Sequence, residues 1–211
     1  MSRALVRYED VRILEVSELV YDSMKAKINS LEDTQFPVSS SVLYIPIRLK
    51  TEKQIRDVTL DELFQALRID APAQIRDTKE YNLFLYAEPD SAKAECLAAG
   101  ITDNLCYGPR IGLIMKIPQA ETGSDVRQLM QEWEKTMADD LRPLLLALPQ
   151  KGEETVFKTG KYRDFETRYI NLPISTMSFD WILTDGTLII ATSKDAARTA
   201  LDRILENEAG K

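Results

Sequence analysis

Apolar residues along this chain recur with two different periods, and the alternation between them marks out its elements. In residues 177–183, Met177, Phe179, Trp181 and Leu183 alternate with their neighbours, the two-residue repeat of a strand that buries one face. Asp185-Gly186 follows as a type I′ turn signal, so residues 187–192 complete a β-hairpin. Thr192 and Asp195 then form a capping pair, after which Ala197, Ala200, Leu201, Ile204 and Leu205 recur at helical spacing. Residues 110–137 carry a looser copy of this grammar. An apolar strand at 110–117 leads through a polar turn to Ser124, a helix cap, and then to Val126, Leu129, Met130, Trp133 and Met137 on one stripe.

The first half reads less regularly. Residues 11–16 predict a short strand, and Ser17 is a candidate cap for a helix carrying Val20, Met24, Ile28 and Leu31. Residues 41–49 are β-rich, but Pro46 confines them to a sheet edge or a bulge. Thr59 with Glu62 makes a capping-box pattern ahead of a helix that buries Leu60, Leu63, Phe64 and Leu67. Residues 81–86 and 110–117 are expected to pair as strands, and the long connection between them holds both cysteines. Residues 155–158 and 166–171 predict two further strands around a turn at 159–164.

This pattern predicts an α+β fold: antiparallel sheet(s) with helices packed on one face, built from repeated strand-strand-helix units. The polar stretch at 149–154 marks the best internal boundary, giving an α+β unit at 1–150 and a hairpin–helix unit at 151–211, packed together as one compact domain.

Composition narrows the chemistry more than it identifies it. The 211 residues hold 34 acidic against 27 basic side chains, a net charge of −7, which argues against a broad nucleic-acid or anionic-lipid footprint. Histidine is absent, which removes Ser-His-Asp and Cys-His catalysis and every histidine-ligated metal site. The two cysteines, Cys96 and Cys106, bracket nine residues rich in small and turn-forming types, without the CxxC spacing of redox motifs. A Cys96–Cys106 disulfide is the preferred reading over two free thiols; in an oxidising compartment it would stabilise the fold by about 3 kcal/mol in the chain-entropy treatment. No apolar run is long enough for a membrane span, and the first residues lack the apolar core of a signal peptide.

Candidate catalytic patterns are each better explained structurally. Asp185-Gly186-Thr187 resembles the DTG of aspartic proteases but sits where the hairpin needs a turn. Glu132, Glu134, Asp139 and Asp140 read as solvated helix charge, because hard cations require oxygens converging from a loop. No serine has lysine at the SxxK offset, and the glycines form neither GxxxxGK nor GxGxxG. No catalytic residue, cofactor or metal site is therefore assigned. Trp133 and Trp181 lie on buried stripes, whereas Tyr162, Phe165 and Tyr169 around the turn are the candidate interaction surface. An enzyme without histidine, a hydrolase or lyase, would need Asp164, Glu166, Arg168 and Tyr169 grouped in a pocket. A small-ligand or peptide-binding module would need a concave apolar one.

Six segments in order, VRILEV (11–16), SVLYIPI (41–47), LDELFQALRI (60–69), RIGLIMKI (110–117), VRQLMQEWEKTMADDLRPLL (126–145) and DGTLIIATSKDAARTAL (185–201), carry a family resemblance. In them the chain resembles a group of uncharacterised bacterial proteins of candidate-phyla type, in which an N-terminal membrane anchor precedes a soluble outer domain. WEKTMADDL is the most distinctive of these stretches. The chain departs from the group at Arg68, where glycine is expected after leucine, in its long cysteine connection, and in lacking the anchoring segment. The resemblance implies an extracytoplasmic location, periplasmic or at the cell surface, with attachment only through that segment. It transfers no catalytic residue. Together these readings predict a non-enzymatic extracytoplasmic domain that binds a protein partner, in an envelope or pilus-like assembly, and not nucleic acid.

Overall fold

A computed structural model describes residues 5, 6, 8, 10–36, 41–98, 100, 106, 108–117, 123–146 and 156–209. The chain is α+β, with an eight-stranded and a three-stranded sheet. The first segment pairs in parallel as β1 (Asp10–Val11) and β2 (Leu14–Val16) along β3 (Val42–Tyr44) and β4 (Ile47–Lys50). Pro46 separates β3 from β4, and its carbonyl accepts from Leu14 N–H. Having no N–H of its own, it ends one ladder and turns the strand out of the large sheet into the small one, where β5 (Ile55–Asp57) completes β2-β4-β5.

Between strands lie α1 (Tyr21–Asn29), α2 (Leu60–Leu67) and the single turn α3 (Ala73–Arg76). α1 starts four residues after the predicted Ser17 cap, with Val20 at its N-cap. Thr59 and Glu62 form the expected reciprocal capping box of α2. That helix ends at Arg68, a non-glycine residue at φ 58°, whose guanidinium lies 4.8 Å from the Tyr21 ring centre. The stacking offsets part of the cost of a left-handed side chain at the position where glycine was expected.

The large sheet continues through β6 (Tyr81–Tyr86), β7 (Arg110–Lys116), β8 (Lys158–Tyr162), β9 (Phe165–Asn171), β10 (Ser178–Leu183) and β11 (Thr187–Ala191), in the order β1-β3-β6-β7-β11-β10-β9-β8. Every pairing except β1–β3 is antiparallel. β7 and β11 pair directly, Leu113 opposite Ile190, so the sheet runs without a break from the first 150 residues into the last 61. The boundary predicted at 149–154 lies outside the described residues.

Helices cover both faces of this sheet, not one as the pattern predicted. Ile111, Leu113, Met115, Phe179 and Trp181 bury against α5 (Gly123–Asp140), α1 and α2. The alternate residues Ile114, Ile182, Ile189 and Ala191 bury against α6 (Lys194–Ala209). The physical reason is that β7 and β11 are apolar at nearly every position, and such strands need cover on both sides. The two predicted strand–helix copies thus diverge: β7 leads to α5 on one face and β11 to α6 on the other. The β10–β11 turn also differs from type I′, since positive φ occurs at Gly186 (104°) but not at Asp185.

Candidate functional site

The most unusual chemistry collects at one end of the large sheet, where β6 and β11 finish and β7 and β10 begin. Cys96 and Cys106 are disulfide-bonded, their Cα atoms 5.9 Å apart and both residues buried. Cys96 lies on a helix, α4 (Asp90–Ala98), so the disulfide staples this helix back onto the sheet end. Its Leu97 stays 50% exposed.

Arg110, the first residue of β7, anchors the staple. Its Nη2 donates to the Cys106 carbonyl at 2.8 Å and to Thr176 Oγ1 at 3.0 Å, and the Thr176 hydroxyl donates to the same carbonyl. Its Nε lies 3.3 Å from Glu88 Oε1, with both side chains at 3% exposure or less. Glu88 in turn hydrogen-bonds Ser193, whose hydroxyl accepts from Ala196 N–H and so caps α6. One buried polar chain therefore ties the disulfide to the start of α6.

A second carboxyl, Asp180, faces the same helix terminus from β10, accepting from the Ser178 hydroxyl and lying within the fields of Lys194, Asp195 and Arg198. Burial pushes the Glu88 carboxyl up to about 7, against the pull of Arg110 and Ser193. Burial likewise pushes Asp180 up to about 6, opposed by the Ser178 hydrogen bond. Glu62 moves the other way, down to about 2, chiefly because Arg56 donates to it. Groups raised in the folded state contribute stability at low pH and lose it as pH rises through the folded value. For Glu88 that window runs from 4.5 to about 7, and for Asp180 from 3.8 to about 6, whereas Glu62 loses its contribution only as pH falls from 4.5 towards about 2. Urea unfolding is thus expected to give higher stability at pH 5 than at pH 8, by on the order of 3 kcal/mol. Equal or greater stability at pH 8 would contradict this assignment.

The predicted interaction residues share a different surface. Tyr162 and Phe165 pair across β8 and β9, and Tyr169 follows on the same face of β9, cross-strand from Asp180. All three are half-buried. Tyr162 and Phe165 pack beside α6; the Tyr162 hydroxyl donates to Asp202, and Arg198 lies 4.6 Å from its ring centre. Tyr169 packs over Gly160, where an added Cβ would approach its ring to 3.3 Å. Tyr162 and Phe165 therefore form an aromatic flank to α6, with Tyr169 further along the same face of β9.

The residues an enzyme would have needed do not converge. Glu166 pairs with Arg127 and Arg168 with Glu134, on the α5 face, while Tyr169 is on the α6 face and Asp164 projects from the β8–β9 turn. Glu134 also accepts from Trp181 Nε1 at 3.0 Å, and Asp140 from Trp133 Nε1 at 2.8 Å, so two of the helix acids orient buried indoles. Among the described residues no group of three or more acids and cysteines converges as a metal site. A cleft between Tyr44, Asp57 and Tyr81 has room for about one water molecule.

Glu88, Arg110, Thr176 and Asp180 escaped the reading of the sequence. An acid and an arginine 22 positions apart share no local motif, and only the β6–β7 pairing brings them together. The available signal was Arg110 itself, a charged residue opening an otherwise apolar strand. No protein family, curated protein or solved structure matches this chain.

Proposed function

We propose that this chain is a non-enzymatic extracytoplasmic domain that captures another protein, anchored through a segment outside these residues and working in an envelope or pilus-like assembly. The observation that carries the reading is the buried Cys96–Cys106 bond, which staples α4 to the sheet end with Leu97 exposed on that helix. A disulfide of this kind suits an oxidising compartment. A preformed helix binds with a smaller ordering cost than a flexible loop. The half-buried Tyr162, Phe165 and Tyr169 on one face of β8 and β9 offer a second contact area of the kind enriched at interfaces.

The first test is intact mass of protein exported through an oxidising compartment, before and after reduction and alkylation. Both thiols are expected to label only after reduction; labelling without it removes the compartment argument. The second is site-specific photocrosslinking in the native host from position 94, exposed on the same helix one turn before Leu97. A discrete crosslinked protein is expected, lost both on deletion of residues 96–106 and in Leu97→Glu. The point variant matters because the deletion also removes the carbonyl that Arg110 holds. Capture that survives Leu97→Glu, in protein that unfolds cooperatively, takes this surface out of the function.

A further inference from the structure

The edge formed by residues 10–16 exposes two large apolar side chains along one continuous segment. Arg12 N–H donates to the Tyr44 carbonyl and Leu14 N–H to that of Pro46, so residues 12 and 14 face inward and the backbone groups of 11, 13 and 15 face out. Val11 and Ile13 are 53% and 45% exposed on this edge. The opposite edge of the large sheet, β8, carries Lys158 and Lys161, the usual guard against edge-to-edge pairing. β5, the other edge of the small sheet, exposes Ile55 by 59% but follows it with Arg56 and Asp57, both held in ion pairs, to Glu62 and Arg48.

Nearby charges are partly tied back. Glu15 pairs with Lys50, Arg12 donates through Nη1 to Thr34, and Asp10 Oδ1 accepts from the Val11 N–H. That last bond masks one outward donor of the edge with the chain's own side chain.

We infer that this edge pairs with the same edge of a second copy of the chain, antiparallel about a two-fold axis at Val11. A two-fold-symmetric antiparallel pair must place one residue opposite itself, which leaves few registers to compare. Centring on Arg12 sets arginine against arginine, and centring on Ile13 sets no opposite charges together. Centring on Val11 alone places Asp10 opposite the second copy's Arg12, twice over. Opposite charges across a strand pair stabilise it, and like charges destabilise it. In this register Val11 is a hydrogen-bonded pair, so its N–H moves from Asp10 to the Val11 carbonyl of the second copy. Asp10 is thereby released to take up the guanidinium.

The test is sedimentation equilibrium of the full chain and three variants, with circular dichroism and unfolding of each. The wild type is expected to dimerise with increasing concentration. Arg12→Asp sets aspartate against aspartate and is expected to weaken the dimer by about 10-fold or more. The double swap Asp10→Arg with Arg12→Asp recreates the complementarity with signs reversed and is expected to recover affinity to within about threefold. Val11→Lys, on an exposed side chain with no role in the core, is expected to give a folded monomer. A wild-type chain that stays monomeric up to about 1 mM overturns the inference. So does a dimer indifferent to Val11→Lys, a folded double swap that fails to recover, or a monomer that takes up an extended peptide of unrelated sequence at this edge.

Discussion

Arg110→Met is expected to destabilise the protein by about 3–5 kcal/mol at pH 8, the cost of leaving a buried carboxylate without its counter-ion. The pair is nearly sealed from solvent, and Glu88 reaches no other cation among its identified interactions: Ser193 hydrogen-bonds it and Asp195 repels it. Without Arg110, the carboxyl moves still further towards its protonated form. The loss should consequently be smaller at pH 5 than at pH 8, which distinguishes a stranded charge from mere loss of side-chain packing. The partner experiment is Glu88→Gln with Arg110→Met, which removes both charges and should regain much of the loss, since burying a neutral pair avoids the desolvation of either ion. Urea unfolding of the single and double variants at both pH values measures each term. A single variant within about 1 kcal/mol of wild type at pH 8 would mean that Glu88 is already neutral or solvated there.

Gly112→Ala is the second large effect, about 3 kcal/mol of destabilisation from overpacking at the centre of the sheet. Gly112 lies opposite Phe84 on the face covered by α6, and an added Cβ would stand 2.1 Å from Phe84 Cζ. Phe84 is wholly buried, so its ring has no vacant space to enter. The glycine here serves close approach by an aromatic ring, a relationship known to support glycine within strands. Phe84→Leu shortens the opposing side chain, so the double variant should be more stable than the sum of the single losses predicts. Additive losses, read from unfolding midpoints and slopes, would show that the ring can rotate away from the new methyl group.

Local grammar was legible wherever short-range physics decides the outcome. The Thr59–Glu62 capping box, the β10–β11 hairpin and the buried stripes of α5 and α6 each depend on residues within a few positions of one another. Pro46 was expected to hold residues 41–49 at an edge or bulge, but β3 and β4 on either side of it are internal strands, because the missing N–H falls at the switch between the two sheets. The unusual residue at Arg68 was flagged only as a departure from the resembled family; the structure shows that it ends α2 in a left-handed conformation, where a helix end prefers glycine. Cysteine spacing allowed a bond between Cys96 and Cys106 but did not require one. The bond follows from α4 bringing Cys96 back over the start of β7.

Less local features were misread or missed. RIGLIMKI and TLIIA carry apolar residues on both strand faces, a sign of two-sided burial that alternation along the neighbouring β10 obscured. Tyr162, Phe165 and Tyr169 do share one face, because β8 spans 158–162 and the turn is only Arg163-Asp164, not the expected 159–164, which sets Tyr162 opposite Phe165. The half-burial of Tyr162 and Phe165 depends on α6, which is distant in sequence. By itself, then, the sequence determined the longer elements, the Thr59–Glu62 cap, the α+β class and the exclusion of histidine chemistry, whereas Val20 stands at the α1 cap in place of Ser17 and Ser193 caps α6 in place of Thr192. Tertiary structure alone decided which face each helix covers, which acid meets Arg110, and which strands lie at the sheet edges. Those outcomes depend on strand order and on desolvation summed over residues far apart in the chain, and no local period records either.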